Sequence, residues 1–296
     1  MIRFSIAIAC ALSATAFLHS ARASEPSSVI PVWPSDPPKW NAPSGEEHDS
    51  SGPDGRTVAG RSVIRLTNVT RPELHVYPAK GSDTTVIICP GGGFSILAWD
   101  LEGTEVAEWL QQQGVNAAVL KYRVPTRDED ERWLAPVQDL QRSLALVRDG
   151  KIPELKAKHV GVMGFSAGGH TAARSTFAAE RTYEPVDKSD SASIHPDFAA
   201  LIYTAYLTVS RESEVMTDGF SVTENTPPIF FAHAFDDRIT PIGCVKLFAE
   251  LKRNNVPASL HVFSTGGHGF GARKTDEEKD VWLGLFRSWL TDRGFN

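Results

Sequence analysis

Ser166 lies in Gly164-Phe165-Ser166-Ala167-Gly168, and the residues on either side restrict what this stretch can become. Before it, His159-Val160-Gly161-Val162-Met163 is a short, mostly apolar run of the kind that forms a buried parallel strand. After it, Ala167-Gly168-Gly169-His170-Thr171-Ala172-Ala173-Arg174 is rich in small residues and helix formers. Strand, sharp glycine-rich turn and helix make a nucleophile elbow. Gly164 and Gly168 allow a turn too tight for a Cβ, so the hydroxyl stands clear at the end of the strand. The helix N-terminus beside it offers free N–H groups and a partial positive charge to an oxyanion. The competing reading, a serine that only caps a helix, explains the residue but not its flanks.

A nucleophilic serine needs a base and a group to orient that base. His268 stands in Gly266-Gly267-His268-Gly269-Phe270-Gly271, after a strand-like run at 258–263 and just before the last amphipathic stretch. Four glycines around one histidine describe a loop that must place a single side chain closely. His233 and His261 fall inside apolar strand patterns and read as structural. After the apolar run 228–234 come two carboxylates, Asp236 and Asp237. The common hydrolase spacing of His, three residues, Asp, three residues, Pro sets His233, Asp237 and Pro241 in frame, which selects Asp237 over Asp236 as the orienter. The order Ser166, Asp237, His268 is that of an α/β-hydrolase.

Pro90-Gly91-Gly92-Gly93-Phe94 follows the apolar run 84–89 and can turn backbone N–H groups toward a ligand oxygen. Gly92 and Gly93, together with Ala167 after the nucleophile, are the expected oxyanion donors. The rival dinucleotide fingerprint fails because its third glycine position is Ile96, and no Walker A pattern occurs. With no His-Glu-x-x-His pair and no clustered cysteines, the sequence implies neither a metal site nor a cofactor. Phe94, Trp99 and Tyr206 stand beside the glycine loop and after the sixth strand, where they are candidates to line an acyl or sugar pocket.

These segments, with Leu101-Glu102-Gly103, Val119-Leu120-Lys121-Tyr122-Arg123-Val124-Pro125 and Asp139-Leu140-Gln141-Arg142, resemble the bacterial α/β-hydrolases of the acetyl xylan esterase and bifunctional feruloyl and acetyl esterase type. The resemblance runs from about Pro31 to Trp289. It implies Ser166 as nucleophile, Asp237 as acid, His268 as base, and the N–H groups of Ala167 and of Gly92 or Gly93 as oxyanion donors. Pro90 replaces the histidine of the His-Gly-Gly-Gly motif, and Phe94 stands where many relatives have Tyr, which removes a hydroxyl near the loop. Substrate follows less closely than fold, because one scaffold hosts many acyl groups.

At the N-terminus, Met1-Ile2-Arg3, an apolar stretch from Phe4 to Leu18 and Ala21-Arg22-Ala23 read as a signal peptide over 1–23, too short for a spanning helix. Export to periplasm or medium is the expectation, with no membrane anchor. The whole chain carries a formal charge of −6, and cleavage would remove two arginines and no acid. That balance argues against nucleic acid as a partner and suits neutral ester substrates, small molecule or polysaccharide. Cys89 and Cys244 read as small apolar core residues rather than a bridge.

Residues 24–55, with seven prolines, read as an extended and partly mobile segment that Trp33 and Trp40 could anchor. Residues 56–296 form the hydrolase domain. Stretches 61–69 and 73–77 read as antiparallel strands opening a sheet. The strand and helix patterns that follow alternate, which calls for a mostly parallel sheet with helices on both faces. The inserts at 181–196 and 207–226 are too short for a large lid domain. The charged pairs around Arg123 and Asp139 to Arg142 read as braces of loops rather than substrate contacts. The expected activity is release of acetate or a similar small acid from a plant polysaccharide. A feruloyl esterase, a prolyl-oligopeptidase-like peptidase and an inactive binding module are the alternatives. The peptidase is disfavoured because such enzymes usually need a propeller or other recognition domain.

Overall fold

The computed structural model describes residues 25–155 and 158–295. The expected signal peptide, 1–23, lies outside the described residues. Among the described residues there are thirteen strands: β1 (Ser28–Pro31), β2 (His48–Asp49), β3 (Thr57–Val58), β4 (Arg61–Ser62), β5 (Arg65–Thr67), β6 (Glu73–Tyr77), β7 (Thr84–Cys89), β8 (Leu97–Ala98), β9 (Asn116–Lys121), β10 (His159–Phe165), β11 (Phe198–Ile202), β12 (Ile229–Ala234) and β13 (Ala258–Phe263). The helices are α1 (Glu105–Gln112), α2 (Leu134–Arg148), α3 (Ser166–Phe177), α4 (Ile242–Arg253) and α5 (Trp282–Arg293).

Eight strands form one sheet in the order β1-β6-β9-β7-β10-β11-β12-β13. The first two pairings are antiparallel and the remaining five are parallel. Strands β7, β9, β11 and β12 are buried along their whole length, as their continuous apolar sequences require. Side chains alternate between two cores. Ile87 and Cys89 face the side covered by α2, α3 and α4, where Leu140, Leu144, Ala172, Leu247 and Leu251 pack. Val86 and Ile88 face α1 and α5, through Val106, Leu110, Trp282, Phe286 and Leu290. This is an α/β-hydrolase fold, with helices on both faces and no large lid among the described residues. No described helix is long and apolar enough to cross a membrane.

Two expectations are corrected at the N-terminal side. Residues 61–69 do not enter the main sheet. Their strands β4 and β5 belong to small separate sheets, with β5 between β2 and β8. The antiparallel partner of β6 is instead β1, from the proline-rich segment. Pro31 ends that strand at the sheet's edge, where a residue without an N–H is tolerated. The segment is anchored beyond the strand as well. Trp33 is buried and donates its Nε1–H to Asp139 Oδ1 at 2.8 Å. Asp139 forms a fully buried ion pair with Arg123 at 2.9 Å, and Arg123 Nη1 donates to Pro38 O. Arg142 pairs with Asp187 and Asp190 on the 181–196 insert. These charges brace loops, as expected from the sequence. Cys89 and Cys244 are free and buried.

Candidate active site

Ser166 sits between the end of β10 and the first turn of α3, with φ +51°. A non-glycine residue held in that region stores strain and is a mark of functional turns. Close packing around it leaves no alternative. A Cβ on Gly168 would stand 2.1 Å from Cys89 O and 2.4 Å from Pro90 O, both backbone atoms that cannot yield. The helix therefore lies directly against the end of β7, and Ser166 faces the glycine loop.

Ser166 Oγ lies 2.8 Å from His268 Nε2, and His268 Nδ1 lies 2.7 Å from Asp237 Oδ2. A carboxylate only accepts, so Nδ1 carries the hydrogen and the Nε2 lone pair is left for the serine hydroxyl. Asp237 has a fully buried side chain and also accepts from Ile239 N at 2.7 Å. Burial works to raise its pKa. The hydrogen bonds from His233, His268 and Ile239 overcome this and hold it at about 2. Asp236 points elsewhere: it is exposed and accepts from Gly267 N at 2.8 Å, pinning the loop that carries His268. The structure brings Ser166, Asp237 and His268 together and keeps Asp236 apart from the imidazole.

The glycine loop is aimed by a residue that the sequence reading left unassigned. Glu102 is buried, and its Oε2 accepts from Gly91 N at 2.8 Å. Its Oε1 accepts from Tyr203 O–H at 2.9 Å, and Tyr203 Oη in turn accepts from Gly271 N at 3.1 Å. One carboxyl thus ties the glycine loop to the histidine loop. Burial raises its pKa against the opposing pull of His268, Tyr203 and Gly91. With Gly91 N–H occupied, the Gly92 and Gly93 N–H groups remain, at φ +141° and +64°. Ala167, in the first turn of α3, has no intrahelical acceptor for its N–H either. Gly92 and Gly93 line the same cleft as Ser166 and His268.

Two further residues hold the base and its orienter. Arg56 Nη2 donates to His268 O at 2.6 Å and to Gly269 O at 2.9 Å. His233 was expected to be structural, and it is packed against the acid. Its Nε2 lies 2.8 Å from Ile239 O and 3.1 Å from Asp237 Oδ2. The His-x-x-x-Asp spacing was the signal for that contact. Nothing local marks Arg56 or Tyr203, which arrive from segments distant in the chain.

The aromatic candidates separate. Tyr206 lines the cleft, a space of about 320 Å³. Phe94 and Trp99 do not, which corrects the expectation for both. With φ +61°, Phe94 turns inward, is fully buried, and stacks beneath Tyr206 at 5.7 Å. Trp99 packs edge-on against His75 at 4.7 Å and joins the core. Among the described residues, no group of His, Cys, Asp and Glu is arranged to hold a metal ion.

The fold and this arrangement define a serine hydrolase of the α/β-hydrolase class. The prolyl oligopeptidase family matches residues 136–292, more than half of the sequence, and the chain belongs to that family. It is 28% identical over 258 residues to an acetylxylan esterase of Xylanibacter ruminicola, an alignment covering 79% of this chain and 51% of that protein. The chain therefore spans about half the length of that curated relative. Among solved structures, it superposes on the acetyl ester-xyloside bifunctional hydrolase from Caldicellulosiruptor lactoaceticus with TM-score 0.68 at 24% identity, covering 92% of this chain and 98% of the other. It also superposes on MGS-M1, an α/β-hydrolase from a Medee basin deep-sea metagenome library, with TM-score 0.58 at 26% identity, covering 75% and 91% of the two chains. The resemblance read from the motifs thus extends over 79% of the chain in sequence.

Proposed function

We propose that this chain hydrolyses small acyl esters of a plant polysaccharide such as acetylated xylan, through an acyl-enzyme on Ser166. The observation that carries the reading is the continuous hydrogen-bonded line Ser166–His268–Asp237 beside the two uncommitted glycine N–H groups. Ser166 Oγ attacks the ester carbonyl as His268 Nε2 takes its proton. The developing oxyanion accepts from the N–H groups of Ala167 and of Gly92 or Gly93, and each such donor contributes roughly 100- to 1000-fold in kcat. His268 returns the proton to the departing alcohol, the acyl group stays on Ser166, and a water deprotonated by His268 releases it. Asp237 holds the imidazole in the right tautomer and stabilises the imidazolium.

Similarity to an acetylxylan esterase supports acetyl as the acyl group. The leader-like residues 1–23 support export, since a polysaccharide is met outside the cell. Membership of the prolyl oligopeptidase family supports a second reading, cleavage after proline. Parallel assays with p-nitrophenyl acetate, a proline p-nitroanilide and acetylated xylan decide between them. The esterase reading predicts turnover of the acetate and release of acetic acid from xylan, with the anilide inert. Turnover of the anilide alone would replace it by the peptidase.

A further inference from the structure

The cleft above Ser166 is at odds with the charge of the chain around it. The protein carries a formal charge of −6, yet five arginines line this one opening: Arg56, Arg65, Arg127, Arg211 and Arg238. They come from four separate parts of the chain, so no single local motif accounts for their convergence. Arg56 is occupied by the carbonyls of His268 and Gly269. Among the described residues, the guanidinium groups of Arg65, Arg127, Arg211 and Arg238 make no hydrogen bond or ion pair. Glu102 is the only carboxylate among the lining residues, and both its oxygens are occupied by Gly91 N and Tyr203 O–H. Like charges gathered in one cleft repel each other, and they raise the local concentration of anions. Elsewhere several arginines are tied to carboxylates: Arg123 to Asp139, Arg142 to Asp187 and Asp190, Arg273 to Asp100 and Glu105.

Four of the five are exposed and Arg65 is half-buried, so they ring the opening rather than the floor. An acyl group enters toward Ser166, while the alcohol portion of the ester remains at the mouth. We propose that the arginine rim receives a carboxylate on that alcohol portion, so the preferred substrate is an acylated sugar or oligosaccharide bearing a uronic acid. The guanidinium fork matches a carboxylate in geometry as well as charge. This rests on the esterase reading and changes its substrate class, from the neutral carbohydrate that the overall charge suggested to an acidic one.

The test compares two esters that differ at one carbon: mono-acetylated methyl glucuronide and mono-acetylated methyl glucoside, with p-nitrophenyl acetate alongside. The expected kcat/KM ratio of glucuronide to glucoside is roughly tenfold at low salt, from two or three screened charge contacts of a few-fold each. It should shrink several-fold as salt is raised to about 0.5 M, because the rim is open to solvent. In the R127Q/R211Q/R238Q variant the ratio should fall to about one. A wild-type ratio of one or below, or a ratio that the triple variant leaves intact, overturns the assignment of the rim. Hydrolysis of the glucoside and p-nitrophenyl acetate in that case leaves the esterase standing. Failure to hydrolyse any of the three esters removes the esterase reading, and the rim falls with it.

Discussion

Glu102→Ala should damage both stability and catalysis, and the structure sets the scale of each. The substitution strips the acceptor from two buried donors, Gly91 N–H and Tyr203 O–H. A buried donor left without a partner costs about 1–3 kcal/mol, so the two together come to about 2–6 kcal/mol. For a domain of this size about 1 kcal/mol moves Tm by roughly 2–4 °C, giving a fall of roughly 5–20 °C. The catalytic loss has a separate origin. Gly91 is the fixed point from which Gly92 and Gly93 turn, and misaiming one oxyanion donor lowers kcat by roughly 100- to 1000-fold. Glu102→Gln keeps a carbonyl oxygen for Gly91 N–H but turns an amide, a donor, toward Tyr203 Oη. It should therefore recover most of the catalytic loss, while the unsatisfied Tyr203 O–H keeps part of the stability loss. Thermal unfolding and kcat on p-nitrophenyl acetate for wild type, E102A and E102Q form the assay. An E102A protein that melts within about 2 °C of wild type and keeps kcat within about twofold would refute the reasoning.

Asp237→Asn should cost roughly 10⁴-fold in kcat because the imidazole loses its tautomer, while Asp236→Asn, which weakens only the bond to Gly267 N, should cost about tenfold or less. Reversal of the two effects would show that the wrong carboxylate has been assigned. The Asp237 carboxyl is held at about 2, below its usual 3.8, so the ionised form is favoured by folding. Its contribution is complete above about pH 4 and is lost as pH falls through 2, worth about 2 kcal/mol in all; acid unfolding of Asp237→Asn should lack that part of the decline. Gly168→Ala should fail to yield the native protein or melt far lower, since its Cβ would meet two backbone carbonyls at 2.1 and 2.4 Å; unfolding by circular dichroism checks this. A short acyl site should show kcat/KM falling from acetate through butyrate to octanoate p-nitrophenyl esters, whereas a deep tunnel would gain about 0.8 kcal/mol per methylene. Phe94 is not the residue with which to narrow that site, because it lies under Tyr206 and out of the cleft.

What could be read from the sequence was local. The strand patterns of β10, β12 and β13, each leading into glycine-rich or acidic turn residues, specify both a strand and the loop at its C-terminal end. Ser166, Asp237 and His268 sit on three such loops, so pattern and chain order were enough to select them. Residues whose partners come from distant segments were not legible. Glu102 reaches Gly91 across a turn, Tyr203 reaches Gly271 across the sheet, and Arg56 reaches the His268 loop from more than 200 positions away. The edge strand β1 was hidden by proline, which lowers any strand reading although an edge position tolerates it. Phe94 and Trp99 misled because nearness in sequence to the glycine loop does not set the direction of a side chain. At Phe94 the positive φ turns the ring into the core. Net charge, likewise, is a sum over the chain and does not show where the arginines gather.

The proposed acyl-enzyme carries the acyl group on Ser166 Oγ, and a covalent trap probes that atom. p-Nitrophenyl diethyl phosphate reacts with an activated serine by forming a Ser Oγ–P bond and expelling p-nitrophenolate, and the product does not turn over as an acyl ester does. Peptide mass spectrometry after reaction should place one diethylphosphoryl group on Ser166, in proportion to the esterase activity lost, and none on the Ser166→Ala protein. A fully labelled enzyme that still cleaves p-nitrophenyl acetate, or inactivation with the label on another residue, would contradict the account.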